Sequence, residues 1–253
     1  MTQIEVKLDV LPQPYRDGFG QLARTLRELA NDDLIALSAF GGWLVGDPFF
    51  TETPARSVAV LRRIDVKMLD RLASAGARLG HLNLRAPLIM TPEYITSSCD
   101  VFPLELLEIQ QLHALVCGAE HFADLTFDRN DMRLQCEREL KSELIQLRQG
   151  LLAAAGRHKL LAAVCLASAE RTVRILRGVL HMAEPAETVK LAHELVKRVA
   201  AILGEPLATL QRLVSGGQEV GMVEFEGYYG ELAALAARAD AWDGASGEHE
   251  RWP

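Results

Sequence analysis

The chain has 253 residues, 49% hydrophobic and 24% charged, an ordinary globular composition with enough apolar material for one large or two modest domains. A formal net charge of -7 argues against broad, non-specific attraction to nucleic acid or to an anionic membrane face. No apolar run approaches the roughly 18 residues a bilayer span needs, the opening MTQIEVKLDVLPQP lacks the two regions of a secretory signal, and four cysteines at wide spacing without a CxxC pair suit reduced thiols. These features point to a cytoplasmic protein.

In chain order, Phe19, Leu22, Leu26 and Leu29 recur at helical spacing and predict a helix over 19–30. Asn31, Asp32 and Asp33 break that pattern before an apolar run, Leu34 to Phe40, that reads as a strand. Glycines 41 and 42 and a polar loop lead to a second strand, Val58 to Leu61. Asp65 is placed to cap a helix whose face is Met68, Leu69, Leu72 and Ala75. Pro87 to Met90 is a third strand, and Thr91, Pro92 and Glu93 have the chemistry of a capped helix start. Leu104 to Ile109 reads as a fourth strand. After Asp128 the texture turns helical. The first long helix, Met132 to Ala155, has Leu134, Leu140, Leu144, Leu147 and Leu151 spaced for a buried face, with Gly156 as its stop. Four more helical patterns cover 160–183, 186–203, 206–214 and 223–239. The tail DGASGEHERWP is small and polar and reads as frayed. The expected domains are therefore α/β for 1–127 and a helical bundle for 128–240, with a flexible tail at 241–253.

One stretch carries a family likeness. "FGGWLVGD", residues 40 to 47, resembles the FGSxxxGD signature of the DNA polymerase β-like nucleotidyltransferases. The superfamily includes aminoglycoside nucleotidyltransferases, which also carry a helical C-terminal half. The resemblance implies an α+β fold, a nucleotidyltransferase-like mixed sheet with flanking helices followed by an α-helical bundle. It implies a triphosphate held at a glycine-serine turn and two aspartates from a Ser-Asp-x-Asp strand. A third carboxylate comes from a later strand. Residues two apart on a strand share a face, so both aspartates meet the same metal pair. Gly41 matches the family glycine, Gly42 stands at the serine, and Gly46 and Asp47 close the turn. Ser57 fits the serine before the aspartates, which then fall on Val58 and Val60. Neither Glu52, in the loop before, nor Asp65, beyond the run, takes their place. Glu105 and Glu108, within the expected fourth strand, are the candidates for the third carboxylate.

The candidate pocket is therefore Gly41, Gly42, Ser57, Glu105 and Glu108, with no catalytic residue and no metal ligand assigned. Two valines cannot hold magnesium, and nucleotidyl transfer rests on positioning and charge. Elsewhere, Arg133 with Glu137 and Glu137 with Lys141 are four apart, which suits solvated helix pairs. Glu137 or Glu139 is the resemblance's counterpart of a general base from the helical half. Arg174 and His181 share a helical face, a spacing that chance supplies among so many arginines. Three readings stand. The first is a catalytically inactive nucleotidyltransferase-like protein serving in nucleotide binding, regulation or protein interaction. The second is an active transferase with an atypical site, the one reading that brings in magnesium and nucleotide. The third is a helical interaction module on an inert α/β scaffold, docking a protein partner or a second copy. Nucleic acid and membrane are not expected partners.

Overall fold

The computed structural model describes residues 5–50, 54–217 and 219–241, so Glu52 and the tail beyond Ala241 lie outside the described residues. Two compact units divide the chain: residues 1–99 with 108–126, and residues 100–107 with 127–253.

The first unit opens with helix α1 (Arg16–Ala30), whose Phe19, Leu22, Ala23 and Leu26 are buried at the expected spacing. Strand β1 (Leu34–Phe40) follows, then a 3-10 turn over Gly42–Val45 and strand β2 (Arg56–Leu61). Helix α2 (Val66–Ser74) starts where Asp65 accepts a hydrogen bond from the Lys67 N–H at 3.0 Å, the expected cap. Helix α3 (Gly76–Gly80) leads to strand β3 (Leu88–Met90). Helix α4 (Pro92–Ser97) is capped by Thr91, which accepts from the Tyr94 N–H at 3.1 Å.

The expected strand over 104–109 is overturned, because this stretch is helix α5 (Pro103–Gln111). Leu104, Leu106, Leu107, Glu108 and Ile109 are all buried, so the helix is covered nearly all round and its leucines follow no clean one-sided spacing. Pro103 suits a first helical turn, and the Leu104 N–H, an orphan donor there, gives its hydrogen to Gln135 Oε1 at 2.8 Å. The fourth strand is instead β4 (His113–Gly118), one residue past the helix end. Residues of α5 up to Leu107 group with the second unit and the remainder with the first.

The four strands form a mixed sheet in the order β3-β2-β1-β4. β1 is antiparallel to both β2 and β4, and β2 is parallel to β3. Leu37, Ala39, Ala59 and Leu61 on one face join the core beneath α1 and α2. At the end of β4 the chain passes close to β1. Gly118 has φ +89°, and a Cβ there would lie 1.9 Å from the Ile35 carbonyl oxygen, so glycine is required.

Beyond the start of α5, the described residues of the second unit form five helices: α6 (Arg129–Ala154), α7 (His158–Ala183), α8 (Ala192–Leu203), α9 (Ala208–Val214) and α10 (Met222–Ala241). Asp128 caps α6 by accepting from the N–H groups of Asn130 and Asp131. Ala155 and Gly156, at φ +47° and +77°, end it as the glycine predicts. The buried face of α6 runs through Met132, Cys136, Leu140, Glu143 and Leu147; Leu134 lies outside it, against expectation. The expected start of α8 at residue 186 is also corrected. Arg177, buried, donates to the carbonyls of Val189 and Lys190 at 2.6 and 2.8 Å, which holds that segment out of a helix. Among the described residues, no helix is long and apolar enough to cross a membrane.

Candidate functional site

Alternation along β2 sorts its side chains into two rows. Ala59 and Leu61 point to the α1 and α2 core, whereas Arg56, Val58 and Val60 face the other way. Opposite them on β1 stand Phe40, Ser38 and Ala36 in register. Val58 and Val60, at the positions where the resemblance places paired aspartates, are both 0% exposed. A magnesium pair needs convergent carboxylate oxygens, and this donor set offers valine methyls, so these residues do not fit the ions. Among the described residues, no three His, Cys, Asp or Glu side chains are grouped to hold a metal.

Charge on this face lies one step along β2. Arg56 Nη1 donates to both oxygens of Glu108, at 2.8 and 2.9 Å, and the glutamate is only 5% exposed. The guanidinium also sits 4.3 Å over the Phe40 ring, a cation–π contact. On the far side of Phe40, in register on β4, His113 pairs through Nε2 with Glu120 at 2.8 Å. Burial works to raise the Glu120 carboxyl. The hydrogen bonds from His113 and from the Phe122 and His121 N–H groups outweigh it and hold the carboxyl below its usual range. The end of the sheet is thus a row of an Arg56–Glu108 ion pair and a His113–Glu120 hydrogen bond about an aromatic ring.

The glycine turn is shaped by aromatic packing. Gly41 adopts φ +112°, a glycine conformation, and its N–H donates to the Leu112 carbonyl at 2.9 Å. That donor is therefore already committed to the protein's own backbone. Gly42, at the position of the family serine, faces the Phe50 ring, which would lie 2.3 Å from any Cβ placed there. A serine at 42 demands that Phe50 move. Trp43 closes the other side, stacking on Phe19 and donating from Nε1 to the Phe40 carbonyl at 2.8 Å. Asp47 is buried and accepts from the Phe49 N–H at 3.0 Å, bracing the turn.

The five predicted pocket residues divide between the two units. Gly41 and Gly42 form the turn, Ser57 is buried on the β2 row opposite to Arg56, and Glu108 is held by Arg56. Glu105 belongs to the second unit, where its carboxylate accepts from Gln135 Nε2 at 2.7 Å and Arg174 Nη1 at 3.0 Å. Glu139 is close to this cluster. Burial and then the Glu105 carboxylate push the Glu139 carboxyl above its usual range, against the opposing pull of Arg174. Glu137 is tied to Arg133 and Lys141, as its spacing predicts. His181 packs edge-on against Phe127, and burial lowers its pKa. Sequence reasoning missed Arg56 and Phe50. Arg56 was legible, since it lies two residues before Val58 and so shares its face; nothing in the sequence marks Phe50.

A solved structure settles the architecture. Spectinomycin adenyltransferase AAD(9) from Enterococcus faecialis, crystallised with ATP and spectinomycin, is similar to this chain at a TM-score of 0.55. The likeness covers 88% of this chain and 98% of that one, at 11% sequence identity. The fold is nucleotidyltransferase-like. At that identity the likeness speaks for the fold alone, which agrees with the architecture expected from residues 40 to 47. No family model matches the chain, and no curated protein matches it.

Proposed function

We propose that this nucleotidyltransferase-like protein works by binding and does not transfer a nucleotidyl group. The observation that carries the reading is the pair Val58 and Val60, sealed from water where two metal-binding aspartates would stand. Two further features support it. The remaining carboxylate of that face, Glu108, is bound by Arg56 through both oxygens. The Gly41 N–H is spent on Leu112, and Phe50 stands against Gly42, so the turn is poorly placed to cradle a triphosphate. The protein is a cytoplasmic binding or regulatory module in this reading. A nucleotide remains a plausible ligand, since the similar adenyltransferase was crystallised with ATP.

The test is pyrophosphate release from ATP, GTP, CTP and UTP with magnesium, beside a thermal-shift titration of each nucleotide. Release at the level of a no-enzyme control is expected, with or without a nucleotide-induced rise in Tm. Release above that control, abolished by Glu105→Gln or Glu108→Gln, would overturn the reading and favour a rebuilt active site.

A further inference from the structure

The outer side of α6 is the least conventional surface of the second unit. Leu134, Arg138, Lys141, Ile145, Arg148 and Leu152 follow one another at steps of four and three, the spacing of a single helical seam. The three apolar members are 41%, 52% and 80% exposed. Over eighteen residue-to-residue steps at ~1.5 Å rise the seam is about 27 Å long. Every exposed charge on α6 is positive, while its acids Asp131, Glu137 and Glu139 are half-buried and Glu143 is buried. Lys141 is already paired with Glu137 and Asp240, so the seam's positive charge for a partner rests on Arg138 and Arg148.

We propose that this seam docks an acidic amphipathic helix of a protein partner. Exposed leucine and isoleucine at seam spacing supply the knobs for a second helix, and flanking cations select glutamate or aspartate beside its apolar stripe. A second copy of this chain fits poorly, because two such seams would set like charges against each other. The inference is independent of whether the first unit binds a nucleotide, since all six residues lie in the second unit.

Fluorescence anisotropy of the full chain with a labelled synthetic helix of about three heptads tests it. The probe carries leucine at the seam positions and glutamate beside them; its twin carries lysine in place of glutamate. Saturable binding of the acidic probe is expected, weakened by added salt, with little binding of the twin. Ile145→Asp, and separately Arg138→Glu with Arg148→Glu, should each weaken it at least about tenfold while Tm stays unchanged. Absence of binding, equal binding of the twin, or binding indifferent to both variants would overturn the proposal. So would capture of the chain by anionic phospholipid vesicles, or a dimer in sedimentation, that Ile145→Asp abolishes without any binding of the acidic probe.

Discussion

Val58 and Val60 on β2 and Glu143 on α6 are all 0% exposed, yet their chemistries are reversed from what their settings suggest. The valines occupy a strand face whose likeness is to a metal-binding one, and the glutamate occupies the apolar stripe of a long helix. The difference lies in the partners each setting supplies. Glu143 accepts from Arg171 through Nε, by a short contact, and through Nη2 at 3.0 Å, and from Ser168 Oγ at 2.8 Å. Ser168 and Thr172 each share a hydrogen bond with the buried Tyr228 hydroxyl, at 3.0 and 2.9 Å. Helix α6 thus brings the carboxylate and α7 its donors, and Tyr228 of α10 stands behind Ser168. On the sheet face, the cation described beside the valines, Arg56, is already matched by Glu108. A carboxylate survives burial only where its charge is answered.

Placing an acid on the strand breaks the comparison most severely. Val58→Asp buries a charge with no partner, and a loss of about 3–5 kcal/mol is expected from urea denaturation. A variant as stable as the parent would show that this face opens to a cleft able to solvate a carboxylate. It would also revive the metal-binding register.

Arg171→Ala removes the answering charge from the helical site. Glu143 keeps Ser168 but loses its cation, and the expected loss is about 3 kcal/mol. Arg171 is partly exposed, so water entering the vacated space relieves some of the penalty and keeps this effect below that at Val58. Equal losses in the two variants would mean that the network around Glu143 contributes nothing beyond the ion pair.

How much of this was legible follows from the same physics. β1 and β2 were plain in the sequence as apolar runs separated by glycine, and α1, α6, α7 and α10 as helical spacings. The strand misread at 104–109 is a short helix buried on nearly every side. With only nine residues, covered nearly all round, such a helix cannot be told from a buried strand by period. Misplacing it hid β4, and set Glu105 and Glu108 on opposite faces of a strand. On the helix they turn to different partners, Arg174 and Arg56. Phe50 against Gly42 was beyond reach, because a contact across a loop leaves no periodic trace. Glu143 reads as a solvated helix charge until Arg171, Ser168 and Tyr228, from 25 to 85 residues further along, are seen beside it.

The smallest expected effect lies in the hydroxyl that completes the network. Burial, opposed by the hydrogen bonds with Ser168 and Thr172, raises the Tyr228 pKa above its ordinary value near 10. Below pH 10 the phenol is neutral in both folded and unfolded chains, and stability is indifferent to it. Above pH 10 the unfolded chain releases a proton that the folded chain keeps. Stability therefore falls with rising pH, by at most about 1.4 kcal/mol per unit from this group. Tyr228→Phe sacrifices the two hydroxyl contacts, a loss of about 1 kcal/mol at neutral pH, but is exempt from the alkaline decline. The buried thiols of Cys136 and Cys165, whose pKa values burial raises, are common to both proteins and cancel in the difference. The Tm gap between parent and variant should hold between pH 7 and 9 and then narrow towards pH 11. A gap that stays constant through pH 11 would mean that Tyr228 ionises as readily in the folded chain as outside it, which a hydroxyl sealed between Ser168 and Thr172 does not allow.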